Sequence, residues 1–354
     1  MIEPQVFNRL LNRKAPDRFT GGYFGVRNAN FFTGEFLKYV HRCESFLDLT
    51  AGTGQFPYSL VKAEFPRVGV NDRCYYSSLI LNCLFNKGVV DTSTPLLEWA
   101  EDWRQKIAPE NLRLRPGYLS RHFPVREGER IFHPETSQYI DTLCRRYSHN
   151  PLVLYAVGKS LQRWSFRSHN WSRTDTKKQW NRKLRADVAH PWVLGEMIHL
   201  RKYISQMPSA SETMATYMDA GEAAATHNVQ NGFVYIDPAW PWSKAIGSKN
   251  PYNFFTHEIS GILKQKRIKD LSPWERDWST DRIMGLVAGW MDTAFDNGAK
   301  YFCVCTQDTN YPPPEAEVYP WLDQRYKRVK LLIIDDWSQA AGRKYLNYWG
   351  IYKR

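Results

Sequence analysis

Ser45-Phe-Leu-Asp48-Leu-Thr50-Ala51-Gly52-Thr-Gly54-Gln-Phe-Pro57 reads as a short strand that ends in an acid and runs into a glycine-rich turn. Pro57 suits the first turn of a helix that follows. Glycines at 52 and 54 let the backbone come close to a ligand. Strand, glycine turn and helix in that order open an α/β sheet. Taken alone, the same residues also suit an ordinary strand-to-helix turn. A dinucleotide fingerprint would carry a third glycine where Pro57 stands, which turns the reading away from nicotinamide and flavin. The next strand, Arg67-Val-Gly-Val-Asn71-Asp72, ends in an acid 20 residues after Gly52.

An acid at that distance suits ribose hydroxyls, and Asp48 before the glycines suits an amino group on the ligand. Amine and ribose together fit S-adenosylmethionine. A third segment, Phe233-Val-Tyr-Ile-Asp237-Pro238-Ala239-Trp240, is again a β-branched and aromatic run that stops at an acid. In open α/β sheets ligands bind at the carboxyl ends of the strands. There Asp237 and the Pro238 carbonyl can accept hydrogen bonds from the exocyclic amine of a planar base, and the Trp240 indole can stack on the ring. The plainer alternative is a proline turn with a core tryptophan.

Asp48-Leu-Thr50-Ala51-Gly52-Thr-Gly54, followed much later by Asp237-Pro238-Ala239-Trp240, resembles the amino-methyltransferases that act on DNA. The order, cofactor turn first and a long insert before the catalytic turn, is similar to the Dam-type adenine methyltransferases. Phe19-Thr-Gly21-Gly22-Tyr23 is similar to the glycine-containing element that closes over the cofactor in that group. The resemblance covers roughly residues 19–90 and 228–354 and none of the insert between them. It implies a Rossmann-like class I methyltransferase sheet and S-adenosylmethionine as cofactor. The cofactor residues would be Gly21, Gly22, Asp48, Thr50, Ala51, Gly52, Gly54 and Asp72, and the catalytic ones Asp237, Pro238 and Trp240. Two departures stand out. Ala239 takes the place of the family's usual second proline, and the amino-terminal element lacks the lysine that commonly stands beside its glycines.

The organisation expected is an α/β domain in two parts, residues 1–95 with an amino-terminal arm and 207–354, around a mainly helical inserted domain at 96–206. Met207–Ala225, rich in Ala, Ser, Glu and Met, is expected to be helical. Arg328–Asp335 and Lys344–Lys353 look like antiparallel carboxyl-terminal strands of the sheet.

The chain has 354 residues and a formal charge of +12, a surplus that favours polyanions because Lys and Arg release counterions from phosphates. From Lys159 to Lys202, eleven basic residues face three acids, with Trp164, Phe166, Trp171 and Trp180 interleaved. That stretch is the candidate nucleic-acid surface, through Arg163, Arg167, Arg173, Lys177, Lys178, Arg182 and Lys183. Its alternative is a solvated face over the insert's own core. Lys244 and Lys249, in the polar and aromatic loop after the catalytic turn, are further candidates.

The six cysteines form no C-x-x-C and no histidine pair has zinc-like spacing, so no metal site is expected. Cys303 and Cys305 alternate along a strand and are expected to be buried. No Pro-Cys dipeptide exists, which argues against a thiol mechanism at a cytosine ring carbon. No apolar run is long enough to span a bilayer, and the start has no basic segment leading into an apolar one; a cytoplasmic location with no membrane partner is expected. The expected activity is methylation of the adenine exocyclic amine in DNA. RNA adenine, the cytosine amine of DNA, and a nucleic-acid-binding protein that keeps the fold without turnover stay open.

Overall fold

The computed structural model describes residues 2–12, 34–122, 134–164, 186–238, 258–267, 280–307, 314–338 and 343–354. In chain order the elements begin with α1 (Pro4–Asn12), α2 (Gly34–Val40), β1 (Ser45–Asp48), α3 (Gln55–Lys62), β2 (Arg67–Asn71) and α4 (Tyr75–Phe85). Then follow α5 (Leu96–Lys106), α6 (Tyr118–His122), α7 (Pro134–Arg146), α8 (Pro151–Trp164) and α9 (Ala186–Ile204). The remainder is β3 (Glu212–Thr216), α10 (Ala220–Thr226), β4 (Gly232–Ile236), α11 (Ser260–Lys264), α12 (Thr280–Asp296), β5 (Tyr301–Gln307), α13 (Pro314–Asp323), β6 (Lys327–Ser338) and β7 (Arg343–Lys353). The chain divides into two compact units, one spanning Tyr23–Arg73, Pro208–Gly247 and Ser272–Arg354, the other Met1–Gly22, Cys74–Met207 and Ser248–Leu271.

The first unit is α/β. Its seven-stranded sheet runs β3-β2-β1-β4-β5-β7-β6. Strands β1 to β5 are parallel, and β7 lies antiparallel between β5 and β6. All four residues of β1 and all five of β4 are buried, as parallel strands covered on both faces must be. On one face Leu47, Val234, Phe302 and Tyr352 pack with Ala223 and Ala224 of α10, Val287 and Met291 of α12, and Tyr319 and Leu322 of α13. On the other face the Phe36 ring of α2 meets Phe233 at 5.1 Å, Trp349 at 5.2 Å and Phe56 of α3 at 5.7 Å, all edge-on. Cys303 and Cys305 are both buried, as their alternation along β5 implies.

One expectation fails here. Met207–Ala225 is not one helix but strand β3, a turn and the short α10. β3 pairs with β2 along its whole length from Arg67↔Glu212 to Asn71↔Thr216, and Arg67 Nε donates to Glu212 at 3.1 Å. Helix propensity of a few tenths of a kcal/mol per residue does not outweigh a ladder of backbone hydrogen bonds on an open sheet edge. The helix begins only where Asp219 and Glu222 form a capping box.

The described elements of the second unit are helices, and the unit is not confined to residues 96–206. It also takes in α1, α4 and α11. Tyr76 of α4 stacks on Tyr155 of α8 at 6.0 Å, and a Cβ at Gly158 would lie 2.4 Å from the Tyr76 ring. Asp141 of α7, fully buried, accepts from the Gly117, Leu119 and Ser120 amides, the Ser120 hydroxyl and Gln265 Nε2 at 2.6–2.9 Å. One carboxylate thereby satisfies the open amino end of α6 and fastens the residue that ends α11. Among the described residues no helix is long and apolar enough to cross a membrane.

Candidate functional site

Strand order dictates where a site can form. From β1 the chain moves outward to β2 and β3, then returns to place β4 on the opposite side of β1. The carboxyl ends of β1 and β4 are therefore neighbours at the point where the winding reverses, and such a switch point opens a crevice for ligands. Asp48 ends β1, and Asp237 and Pro238 follow β4 directly.

The turn after β1 is held tightly. Gly52 and Gly54 have φ of 59° and 71°, a left-handed backbone that strains any other residue. Pro57 sits in the first turn of α3, which needs no amide there. The Thr50 amide donates to Asp48 Oδ1 at 3.0 Å, and the Gly52 amide donates to Asp72 Oδ2 at 2.8 Å. The Thr50 hydroxyl accepts from the Asp237 amide at 2.9 Å. Asp48, Thr50, Ala51, Gly52, Gly54, Asp72, Asp237 and Pro238 thus converge on one end of the sheet, although sequence separates them into three segments.

Electrostatics at this end disfavour the charged form of Asp48. Asp48 and Asp72 are buried. Burial foremost, and then the neighbouring Asp72 and Asp237, hold the Asp48 carboxyl well above the usual carboxylate range, against the opposing pull of the Thr50 amide. A cation in the crevice would relieve that repulsion. Among the described residues no cluster of His, Cys, Asp or Glu is arranged to hold a metal ion.

No family model matches the chain, and no curated protein matches it.

Two residues join the site on structural grounds alone. Asn71 bonds to the turns after β1 and β3, and the Thr53 hydroxyl is buried between the two glycines with no hydrogen-bond partner among the described residues. Nothing in the sequence separates Asn71 from an ordinary strand residue, and Thr53 from a filler between glycines.

Gly21, Gly22, Trp240, Arg167, Arg173, Lys177, Lys178, Arg182, Lys183, Lys244 and Lys249 lie outside the described residues. Arg163 lies on the last turn of α8. The basic stretch is corrected at its two ends. Lys159 and Arg201 are buried, at 7% and 4% exposure, rather than facing solvent. Arg201 donates to the carbonyls of Asp91 and Thr94 and lies 4.8 Å over the Trp99 ring, so it holds the helical unit together and is not a phosphate contact.

Proposed function

We propose that this protein transfers the methyl group of S-adenosylmethionine to the exocyclic amine of adenine in DNA. The observation that carries the reading is the hydrogen bond between Asp237 and Thr50. It joins the two segments that resemble the cofactor and amine-binding turns of the amino-methyltransferases at the switch point of one sheet. The reversed β7 between β5 and β6 suits the same family's sheet.

S-adenosylmethionine suits the crevice on charge. It carries an ammonium and a sulfonium, and a cation in the crevice would offset the burial and the neighbouring Asp72 and Asp237 that disfavour the charged form of Asp48. Asp48 would hold the ammonium, Asp72 the ribose hydroxyls, and the amides of the glycine turn the remaining polar groups. The Thr53 hydroxyl has hydrogen-bonding capacity left for the same ligand. When bound, the cofactor supplies a methyl group activated by its positive sulfur.

The chain's own residues do the rest. The adenine amine is a poor nucleophile because its lone pair delocalises into the ring. Asp237 and the Pro238 carbonyl accept its two N–H bonds, which draws the nitrogen toward a tetrahedral, more nucleophilic shape. Positioning supplies most of the acceleration. A base inside a duplex cannot reach a crevice at the end of a sheet, so it must turn out of the stack, with the Trp240 ring replacing part of the lost stacking. The charge of +12 and the basic stretch of the insert, at 96–206, are suited to hold the phosphate backbone.

The deciding experiment incubates the protein with labelled S-adenosylmethionine and separate DNA and RNA pools, then identifies the modified nucleoside. N6-methyladenine in DNA is expected. Label in RNA alone, or on the cytosine amine, would move the substrate. Cofactor binding without any transfer would leave a binding protein with this fold.

A further inference from the structure

Asn71 is the last residue of β2, 1% exposed, and its side chain takes over where the sheet ladder ends. Nδ2 donates to the Leu49 carbonyl in the turn after β1 at 3.1 Å and to the Met218 carbonyl in the turn after β3 at 3.2 Å. Oδ1 accepts from the Met218 amide at 3.2 Å and from the Thr216 hydroxyl at 2.9 Å. Both amide hydrogens and both lone-pair positions are used, so one buried carboxamide ties together two turns that lie on opposite sides of β2.

The orientation of that carboxamide is itself set from outside. The Thr216 hydroxyl has one proton, which goes to Asn71 Oδ1 at 2.9 Å in preference to the Val70 carbonyl at 3.5 Å, so His227 Nε2, 2.9 Å from the same hydroxyl oxygen, is the donor to it. Burial pushes the His227 imidazole down to about 4, so it is neutral at physiological pH and can hold its single proton on Nε2. Gly69 makes room for that ring, because a Cβ there would lie 2.6 Å from His227 Nδ1. A relay of His227, Thr216 and Asn71 therefore runs along the face of β2 to the turn that carries Thr50, Ala51 and Gly52.

We infer that Asn71 is a positioning residue for the cofactor crevice, holding the turn after β1 and the turn after β3 at a fixed separation. This role rests on the cofactor reading given above. Asn71 reaches the ligand through neither side-chain atom but through the Leu49 carbonyl and the backbone of Met218. Its own amide plane cannot be reversed, since an oxygen toward Leu49 and Met218 would face two carbonyls. A buried carboxamide with all bonds made is a rigid brace, and a site built on rigid supports binds without first ordering its turns.

The test uses the full chain with Asn71→Leu, and with the pair Thr216→Val and Thr216→Ser in case the first variant folds poorly. Calorimetry with S-adenosylmethionine, single-turnover methyl transfer at saturating cofactor, and amide hydrogen exchange of the cofactor-free protein are measured together. Asn71→Leu should raise the Kd by about tenfold or more, and Thr216→Val should raise it less, with Thr216→Ser close to wild type. The transfer rate at saturating cofactor should change by less than about threefold, the split expected when binding and not chemistry is touched. Exchange of the Ala51, Gly52 and Met218 amides should quicken in Asn71→Leu and Thr216→Val and not in Thr216→Ser. A wild type that binds S-adenosylmethionine while Asn71→Leu binds it equally well would overturn the role of Asn71 alone. A transfer rate that collapses at unchanged Kd would also overturn it. A wild type that binds no S-adenosylmethionine overturns the cofactor reading and this role with it.

Discussion

The backbone amide of Asp237 donates to the hydroxyl of Thr50 at 2.9 Å, and the amide of Thr50 donates to Asp48. Through one threonine, Asp48, proposed for the cofactor, and Asp237, proposed for the target amine, share a single hydrogen-bonded frame. Neither segment can shift without the other.

Thr50→Val should break that frame, since it leaves the Asp237 amide without its acceptor at a cost of about 1–3 kcal/mol. Methyl transfer should slow by about tenfold or more as the amine is misplaced. Thr50→Ser keeps the oxygen and should stay near wild type. Equal single-turnover rates for the valine and serine variants would show that the bond does not set the geometry of the reaction.

Asp48 should trade stability for binding. Its carboxyl is held well above the usual range in the folded protein by burial and by Asp72 and Asp237. The folded state therefore keeps its proton where the unfolded chain has released it, so this group lowers stability as pH rises through the window above the unfolded value. Asp48→Asn removes the ionisable carboxyl and keeps an acceptor for the Thr50 amide. The variant should melt at a higher temperature than wild type at pH 7–8, with the gap closing below about pH 4. Calorimetry should find its affinity for S-adenosylmethionine lost. A variant that is less stable at neutral pH would contradict the repulsion argument.

Asp237→Ala separates chemistry from binding. It should lose methyl transfer and retain both cofactor and DNA, because Asp237 is assigned to the amine. Trp240→Ala should weaken catalysis through lost base stacking, worth ~1–3 kcal/mol per base. Near-normal turnover by Asp237→Ala would sink the mechanism outright.

The basic stretch of the insert is tested by salt. Affinity for DNA should fall steeply with ionic strength, and replacing Arg173, Lys177, Lys178, Arg182 and Lys183 together by Gln should flatten that slope and raise the Kd. Lys159 and Arg201 are left in place, because both are buried parts of the helical unit. Cofactor affinity should hardly change. A variant that binds and methylates DNA like wild type across a salt series would reduce this charge to a solvated face.

Strands β1, β2, β4, β5, β6 and β7 were legible in the sequence because apolar, aromatic and β-branched runs encode a strand locally, and Asp48, Asp72 and Asp237 mark the ends of three of them. So were the glycines of the first turn, since left-handed backbone is written in residue type. Strand β3 was not legible, because Glu212–Thr216 prefers helix by itself and becomes a strand only against the open edge of β2. Nor was the neighbourhood of Asp48 and Asp237, whose bridge through Thr50 spans 187 residues. Which strands lie side by side is a non-local choice, made by how the whole sheet buries its two faces. The same holds for Asn71 and for Lys159 and Arg201. A carboxamide or a cation has no intrinsic address, and its task is set by the partners that the fold brings to it. Acids and glycines at strand ends are written in residue type; which of them meet is settled by the folded sheet, because pairing and burial act between segments far apart in the chain.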